Sequence, residues 1–251
     1  MGFCGEGVDM TQHPADPASA STSAYSRPWF ALIIAVLGFA GTFLIVSGYP
    51  RLRAQWTGLP DWAGALIDLA VINVPLVIAV LAAGVAASKF GIGRATGIRH
   101  WRWIDLVYGI GVGLVLRALV ELVTPTTGSL GGPLGGAPPL AVTVVIVVGA
   151  VVISPFVEEW FFRGLVLRAL LDALGGLGRW VAGAVAVAVS AAGFAALHFA
   201  TVGAAVPLPL LLATLAVGVA CGVLTVVTGR LWAAVFAHVV FNAIGVGLLL
   251  V

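Results

Sequence analysis

The stretch of residues 140–164 reads LAVTVVIVVGAVVISPFVEEWFFRG. A long apolar run ends there in two adjacent carboxylates, Glu158 and Glu159, and Arg163 follows one helical turn later. A charged group in or beside a bilayer core costs roughly 2.5–3.5 kcal/mol on insertion scales. A chain this apolar would not carry such a pair without compensation, so the pattern predicts a buried reaction site.

The whole chain is apolar, and not only this stretch. Hydrophobic residues make up 61% and charged residues 9% of the 251 residues, against about 25% charged in a typical soluble domain. The mean hydropathy is +1.14. This composition excludes a soluble globular protein and predicts an all-α polytopic membrane bundle, for which we expect no nucleic-acid partner. At roughly 20 residues per crossing, the length allows seven helices, with eight as the upper limit.

The apolar runs and the polar breaks between them divide the chain into three parts. Residues 1–28 are rich in Ser, Ala, Pro and Thr and are predicted to form a disordered cytoplasmic tail. Residues 29–138 hold the first transmembrane helices, and residues 139–251 form the transmembrane region that carries the candidate site. Residues 124–138 are an uncharged loop, and residues 160–174 either extend the fourth helix or lie along the interface. The predicted crossings are 29–49, 63–88, 104–123, 139–157, 180–200, 206–228 and 231–250.

Lys and Arg side chains collect on one side of this arrangement. That side carries Arg27, Lys89, Arg94, Arg99, Arg102, Arg163, Arg168, Arg179 and Arg230. The other side carries only Arg51 and Arg53. The positive-inside rule therefore predicts a cytoplasmic amino terminus. We expect the membrane to be that of a bacterial cell, with the carboxyl terminus outside if there are seven crossings.

The spacing of the acidic pair separates its two members. Glu159 and Arg163 are four positions apart and share one helix face, whereas Glu158 points about 100° away from Glu159. Glu159 can therefore pair with Arg163 while Glu158 faces a different neighbour. That division predicts one fixed carboxylate and one that can act as a general base.

Two further polar clusters lie downstream in apolar segments. Phe194 precedes His198 by four positions, and His238 precedes Asn242 by the same spacing. Neutral imidazoles suit a divalent metal, and a carboxamide suits a metal-bound oxygen or a developing oxyanion. Together with the acidic pair, these side chains form a plausible set for activating water against an amide bond.

Each cluster taken alone has a structural interpretation. The Glu159–Arg163 pair could anchor the end of a helix, and a lone histidine at the end of an apolar segment is usually a hydrogen-bonded interface residue. His238 and Asn242 could form an interhelical polar clamp. Ionisable groups within a membrane are functional hypotheses by default, and their clustering in one half of the chain favours a catalytic site.

The three clusters in this order resemble the CPBP family of intramembrane proteases, also called the Abi or type II CAAX prenyl endopeptidase family. The family pattern is Glu-Glu-x-x-x-Arg, then Phe-x-x-x-His, then His-x-x-x-Asn. The chain shows all three motifs, at 158–163, 194–198 and 238–242. The resemblance covers about residues 154–242. The predicted site residues are Glu158, Glu159, Arg163, His198, His238 and Asn242.

The resemblance implies a membrane-embedded endopeptidase that hydrolyses a peptide bond. Glu158 would activate water, His198 and His238 would bind a metal or polarise the site, and Asn242 would stabilise the oxyanion or complete the metal site. The Glu159–Arg163 pair would hold the surroundings of Glu158 in place. The implied cofactor is a divalent metal, with zinc the expected ion and His198, His238 and Glu158 its ligands; a mechanism without metal stays open.

The expected partners are the lipid bilayer and a membrane-associated protein or peptide substrate. Two other functions remain open at this stage. A proton-coupled transporter would also use buried Glu, His and Arg, although no internal repeat is visible. A non-catalytic scaffold or immunity-type membrane protein would keep the same fold and bind a partner.

The depth of His198 conflicts with straight crossings at these boundaries. Glu158 and His238 would lie toward the cytoplasmic side, whereas His198 would lie about 27 Å deeper at 1.5 Å per residue. A site needs these groups within a few ångströms of one another. The segment 158–200 is therefore partly re-entrant, or one of the boundaries or side assignments is wrong.

Overall fold

A computed structural model describes residues 23–127, 138–202 and 207–250 of the chain. This described part contains helices and no strand, which confirms the predicted all-α class. A short 3₁₀ turn at Gly175–Leu177 joins two long antiparallel helices, over residues 140–173 and 179–202. The helices are α1 (Pro28–Arg53), α2 (Asp61–Ala86), α3 (Ile92–Ala95), α4 (Trp103–Val123), α5 (Leu140–Ala173), α6 (Arg179–Val202), α7 (Leu208–Thr228) and α8 (Trp232–Leu248).

The long helices form a membrane bundle. Within the described residues, six helices are long and apolar enough to cross a bilayer, namely α1, α2, α4, α5, α6 and α7. Helix α8 is a shorter apolar helix of 17 residues, at the lower limit for a crossing. Large apolar side chains face outward, as at Leu122 and Val85, which are 81% and 75% exposed. Such a surface suits lipid and would be a liability in water.

Helix α5 differs from its predicted boundary. It continues for 34 residues from Leu140 to Ala173. The predicted end of the crossing at residue 157 is therefore wrong, and the alternative that residues 160–174 extend the fourth helix is confirmed. The charges of Glu159 and Arg163 mimic the end of a crossing, but both side chains are 0% exposed and lie inside the bundle. Arg163 therefore does not belong in the count of basic loop residues. The orientation of the chain stays a prediction based on the remaining charges.

The same correction removes the depth conflict at His198. Helix α6 runs without interruption over Arg179–Val202, so the chain is not re-entrant there. Glu158 lies near the middle of α5, and His198 lies near the end of α6. Because the two helices run antiparallel from a common turn, the two side chains lie at similar depths along them.

Two stretches of α5 are π-helical, at Gly149–Ile153 and Trp160–Leu167, on either side of the acidic pair. A π-helix bonds residue i to residue i+5, so these stretches are wider than the α-helix between them. Three carbonyls in them accept hydrogen bonds from side chains outside the helix, those of Ala150, Phe162 and Gly164. The widened segments are thereby joined to the elements around them.

The chain before α1 is anchored, which differs from the predicted tail. Residues 1–22 lie outside the described part, but Tyr25 is fully buried. Its backbone N–H donates to Asp172 Oδ2 at 2.8 Å, and its hydroxyl donates to the Gly164 carbonyl at 3.1 Å. Burial raises the pKa of Tyr25, so the phenol stays a protonated donor. Of the predicted loop 124–138, residues 128–137 also lie outside the described part.

Helices α4 and α8 pack closely through glycine. A Cβ at Gly113 would lie 2.6 Å from the Ala237 carbonyl oxygen, and a Cβ at Gly109 would lie 2.4 Å from the Cβ of Phe236. Small residues at this spacing let two membrane helices approach each other. The close approach of α4 sets the position of α8, and therefore of His238.

Replacing Gly113 with Ala tests this contact. The new methyl group overpacks the α4–α8 interface, at a cost of about 1–3 kcal/mol, so we expect a lower melting temperature for the purified protein in detergent. The matched control is Gly111→Ala on the same helix, where a Cβ would meet nothing within 4 Å. Equal melting temperatures for the two variants would contradict the packing argument.

Candidate active site

The buried pair on α5 forms as its spacing predicts. Arg163 Nε lies 3.1 Å from Glu159 Oε2, and neither side chain is exposed. The N–H is not aimed at this oxygen, so the contact is an ion pair rather than an aligned hydrogen bond. Arg163 also donates from Nη2 to the Gly218 carbonyl on α7 at 3.0 Å. The guanidinium is thus fixed between α5 and α7.

Glu159 has a second partner, His238 on α8. The Nδ1 atom of His238 lies 2.9 Å from Glu159 Oε1. A carboxylate oxygen accepts hydrogen bonds, so Nδ1 is the donor in this contact, and Nε2 is left to face the other side of the ring. A carboxylate behind a histidine fixes both its tautomer and its ring orientation. Glu159 therefore acts on both Arg163 and His238.

Glu158 faces the other side of the same imidazole. Its Oε2 atom lies 3.8 Å from His238 Nε2, beyond direct hydrogen-bond distance. The side chain is buried, with 8% of the residue exposed. The two glutamates therefore differ in their contacts as well as their direction, because Glu159 forms an ion pair with Arg163 and Glu158 does not.

His198 joins this group through an aromatic ring. Its Nδ1 atom lies 3.0 Å from the Phe194 carbonyl oxygen one turn earlier, so Nδ1 is the donor there. The Phe194 ring lies 4.6 Å from the His198 ring and 5.4 Å from the His238 ring. Phe194 also lies under the Arg163 guanidinium, 4.9 Å from ring centroid to Cζ. Phe194 was not among the predicted site residues, although its spacing to His198 placed it on the same face.

Asn242 is bonded to the first π-helical stretch. Its Nδ2 atom donates to the Ala150 carbonyl at 2.8 Å. The N–H of Ser154 bonds to Gly149 in the i to i+5 pattern, and the next residue, Pro155, has no N–H to offer Ala150. Asn242 supplies the donor that the backbone lacks. Its second amide hydrogen is not used in this bond.

A pocket of about 280 Å³ opens onto these side chains. His198, His238 and Asn242 line it, together with residues near the end of α4 and the start of α7, including Thr126 and Pro209. Its size is near the lower end for small-molecule sites. The structure thus brings both histidines and Asn242 to the lining of a single pocket. Neither glutamate is part of this lining, and both lie behind it in contact with His238.

Arg117 also lines this pocket, although it is not among the predicted site residues. It forms an ion pair with Glu121 one turn later and a hydrogen bond with Thr126. Its guanidinium lies 5.2 Å from the Phe241 ring centroid. The signal was available in the sequence, because a charged pair within a crossing is itself a functional hypothesis.

The proposed metal ligands fit only in part. The 3.8 Å between His238 Nε2 and Glu158 Oε2 suits two ligands of one zinc ion, whose donor atoms lie roughly 3–4 Å apart. Both histidines donate from Nδ1, the pattern of metal-binding imidazoles that coordinate through Nε2. However, within residues 23–127, 138–202 and 207–250 no three His, Cys, Asp or Glu side chains form a group that could hold a metal. A three-ligand centre is therefore not assembled here.

Comparison with known protein families finds a match in the second half of the chain. Residues 140–244 match the family described as "Type II CAAX prenyl endopeptidase Rce1-like". No curated protein and no solved structure matches the chain. The matched range begins at the first residue of α5 and includes all six predicted site residues. Residues 140–244 are therefore similar to the Rce1-like type II CAAX prenyl endopeptidase domain, in agreement with the resemblance of the three motifs to the CPBP family.

Proposed function

We propose that the protein is an intramembrane endopeptidase in which Glu158 activates water against a peptide bond. The observation that carries this proposal is the position of His238 between two glutamates. Glu159 fixes one side of the imidazole at 2.9 Å, and the other side faces Glu158 at 3.8 Å. A buried carboxylate without an ion-pair commitment, beside an oriented imidazole and a pocket, suits a general base.

Hydrolysis would proceed by proton transfer through Glu158. A water bonded to Glu158 gives it a proton while the water oxygen forms a bond to the carbonyl carbon of the peptide. The lone pair on His238 Nε2 accepts the second hydrogen of that water and so orients it. The oxyanion accepts the remaining amide hydrogen of Asn242. The C–N bond then breaks, and Glu158 returns the proton to the leaving nitrogen.

The substrate of this reaction would be a membrane-associated protein or peptide. The family supports a protease in the bilayer, and the pocket lies near the end of α4 and the start of α7. Arg117 on the pocket wall offers a guanidinium to a carbonyl or carboxylate of the bound segment. The described side chains give no reason to require a prenyl group.

A divalent metal, with zinc the expected ion, stays a prediction. Glu158, His198 and His238 are the residues that would hold it, and it would supply a Lewis acid for the peptide carbonyl. Because the three do not form a closed group in this arrangement, the proton transfers above are assigned to Glu158 without it.

The first prediction from this proposed function concerns Glu158. Replacing it with Gln removes the base while keeping the shape of the side chain, so we expect cleavage to fall by a factor of about 10²–10⁴ with an unchanged melting temperature. The measurement is proteomic comparison of cells that produce either form, in which the variant accumulates an uncleaved precursor. The matched control is Asp61→Asn on the exposed start of α2. Full cleavage by the Gln variant would exclude Glu158 as the general base and with it this mechanism.

The second prediction concerns Glu159. Its replacement with Gln leaves Arg163 as a buried charge without its carboxylate, at a cost of about 3–5 kcal/mol. We therefore expect both the melting temperature in detergent and the activity to fall, unlike the effect of Glu158→Gln. If Glu159→Gln lost activity at unchanged stability, Glu159 would be a catalytic group rather than a positioning one.

The third prediction concerns the metal. If His198 and His238 are ligands, the purified protein contains zinc that is lost when either residue is replaced with Ala. Elemental analysis by mass spectrometry measures this content directly, with His100→Ala as the control because His100 is exposed and lies outside the pocket. A metal content that neither substitution changes would rule out both ligands.

A further inference from the structure

A second and larger cavity, of about 540 Å³, lies at the other end of the bundle from the catalytic pocket. Helix α4 connects the two, because Arg102 at its start lines this cavity and Arg117 near its end lines the catalytic pocket. The proposed endopeptidase function does not use this cavity. Its lining residues are Ser23, Ala24, Phe90, Arg94, Arg99, His100, Trp101, Arg102, Arg168, Gly229 and Arg230.

The lining is strongly basic. It contains five arginines and one histidine, and it contains no Asp or Glu. Two carboxylates lie close by but are already engaged. Asp105 bonds to Arg230 through contacts of 2.7 and 3.0 Å, and Asp172 accepts the backbone N–H of Tyr25. Neither carboxylate is among the residues that line the cavity.

Two of the arginines are held in place by the fold. Arg230 is fixed by the buried Asp105, and Arg168 donates from Nη2 to the Gly229 carbonyl at 2.6 Å. Gly97 has a φ of +75°, and a Cβ there would lie 2.3 Å from Arg168 Nη2. A glycine at this position therefore allows the Arg168 guanidinium to lie against the loop backbone. The cavity wall is built around these cations.

The other three arginines bring uncompensated charge. Within the described residues, no carboxylate lies at ion-pair distance from Arg94, Arg99 or Arg102. Arg94 packs over the Phe90 ring at 4.8 Å, which orients its guanidinium at the rim. Like charges that converge on one cavity repel each other, and a bound anion would offset that repulsion.

We propose that this cavity binds a phosphate group. Guanidinium groups match phosphate oxygens with paired hydrogen bonds, and several arginines around one cavity suit a phosphate better than a single carboxylate. Trp101 and Trp103 nearby are 56% and 70% exposed, as expected for aromatic residues at a membrane interface. The phosphate can come from the headgroup of an anionic phospholipid or from a small soluble anion, since both present the same oxygens.

The experiment uses the full chain in phosphatidylcholine nanodiscs, with and without phosphatidylglycerol. Native mass spectrometry measures the lipid that stays bound, and titration with inorganic phosphate measures its displacement. The test variant is Arg94→Gln with Arg99→Gln. Its charge-matched control is Arg27→Gln with Arg179→Gln, because both of these arginines are exposed, lie near the same end and do not line the cavity.

We expect the test variant to bind phosphate-bearing ligand about tenfold or more weakly, while the control binds like the unmodified protein. Retained phosphatidylglycerol that inorganic phosphate does not displace identifies a lipid headgroup as the source. Binding of inorganic phosphate itself, or displacement of the lipid by it, identifies a small anion. The proposal is overturned if the unmodified protein binds neither probe, or if the test and control variants bind equally.

Discussion

The ion pair between Glu159 and Arg163 is the constraint around which the last four helices are arranged. Neither side chain reaches solvent, so each charge is tolerable only beside the other. The pair contacts one group from each of the three long helices that follow α5: the Phe194 ring of α6, the Gly218 carbonyl of α7 and the His238 imidazole of α8. The geometry around Glu158 follows from these contacts, because the imidazole it faces is held by Glu159.

The contacts within this network could be predicted from the sequence more accurately than the position of the network along the membrane-spanning helices. A spacing of four positions indicated the Glu159–Arg163 pair correctly, because an ion pair one turn apart depends only on local helix geometry. The end of α5 was predicted wrongly for a related reason. Charges normally mark the end of a crossing. The sequence alone does not show that α7 and α8 pack against these charges and form hydrogen bonds with them. The apparent misplacement of His198 came from that boundary.

Other parts of the site depend on features that no residue pattern shows. An α-helix and a π-helix differ by one residue per hydrogen-bonded ring, so the widened stretches of α5 have no distinctive composition. The bond from Asn242 to Ala150 follows from such a stretch and from Pro155, which lacks the N–H that would otherwise fill the place. Arg117 reaches the pocket through the packing of α4 on α8, a long-range contact. Most of the helices, by contrast, could be predicted from hydropathy alone.

Helix α5 has a mechanical consequence because it is continuous. It carries Glu158, which faces the His238 imidazole, at its middle, and Arg168, which lines the basic cavity, about 15 Å further along. The second half of this helix is hydrogen-bonded to the segment before α1, because Asp172 and the Gly164 carbonyl both accept from Tyr25. A shift of this helix along its axis would move Glu158 relative to the imidazole of α8. The same shift would move Arg168 relative to the loop at Gly229. The two ends of the bundle are therefore not free to rearrange independently of each other.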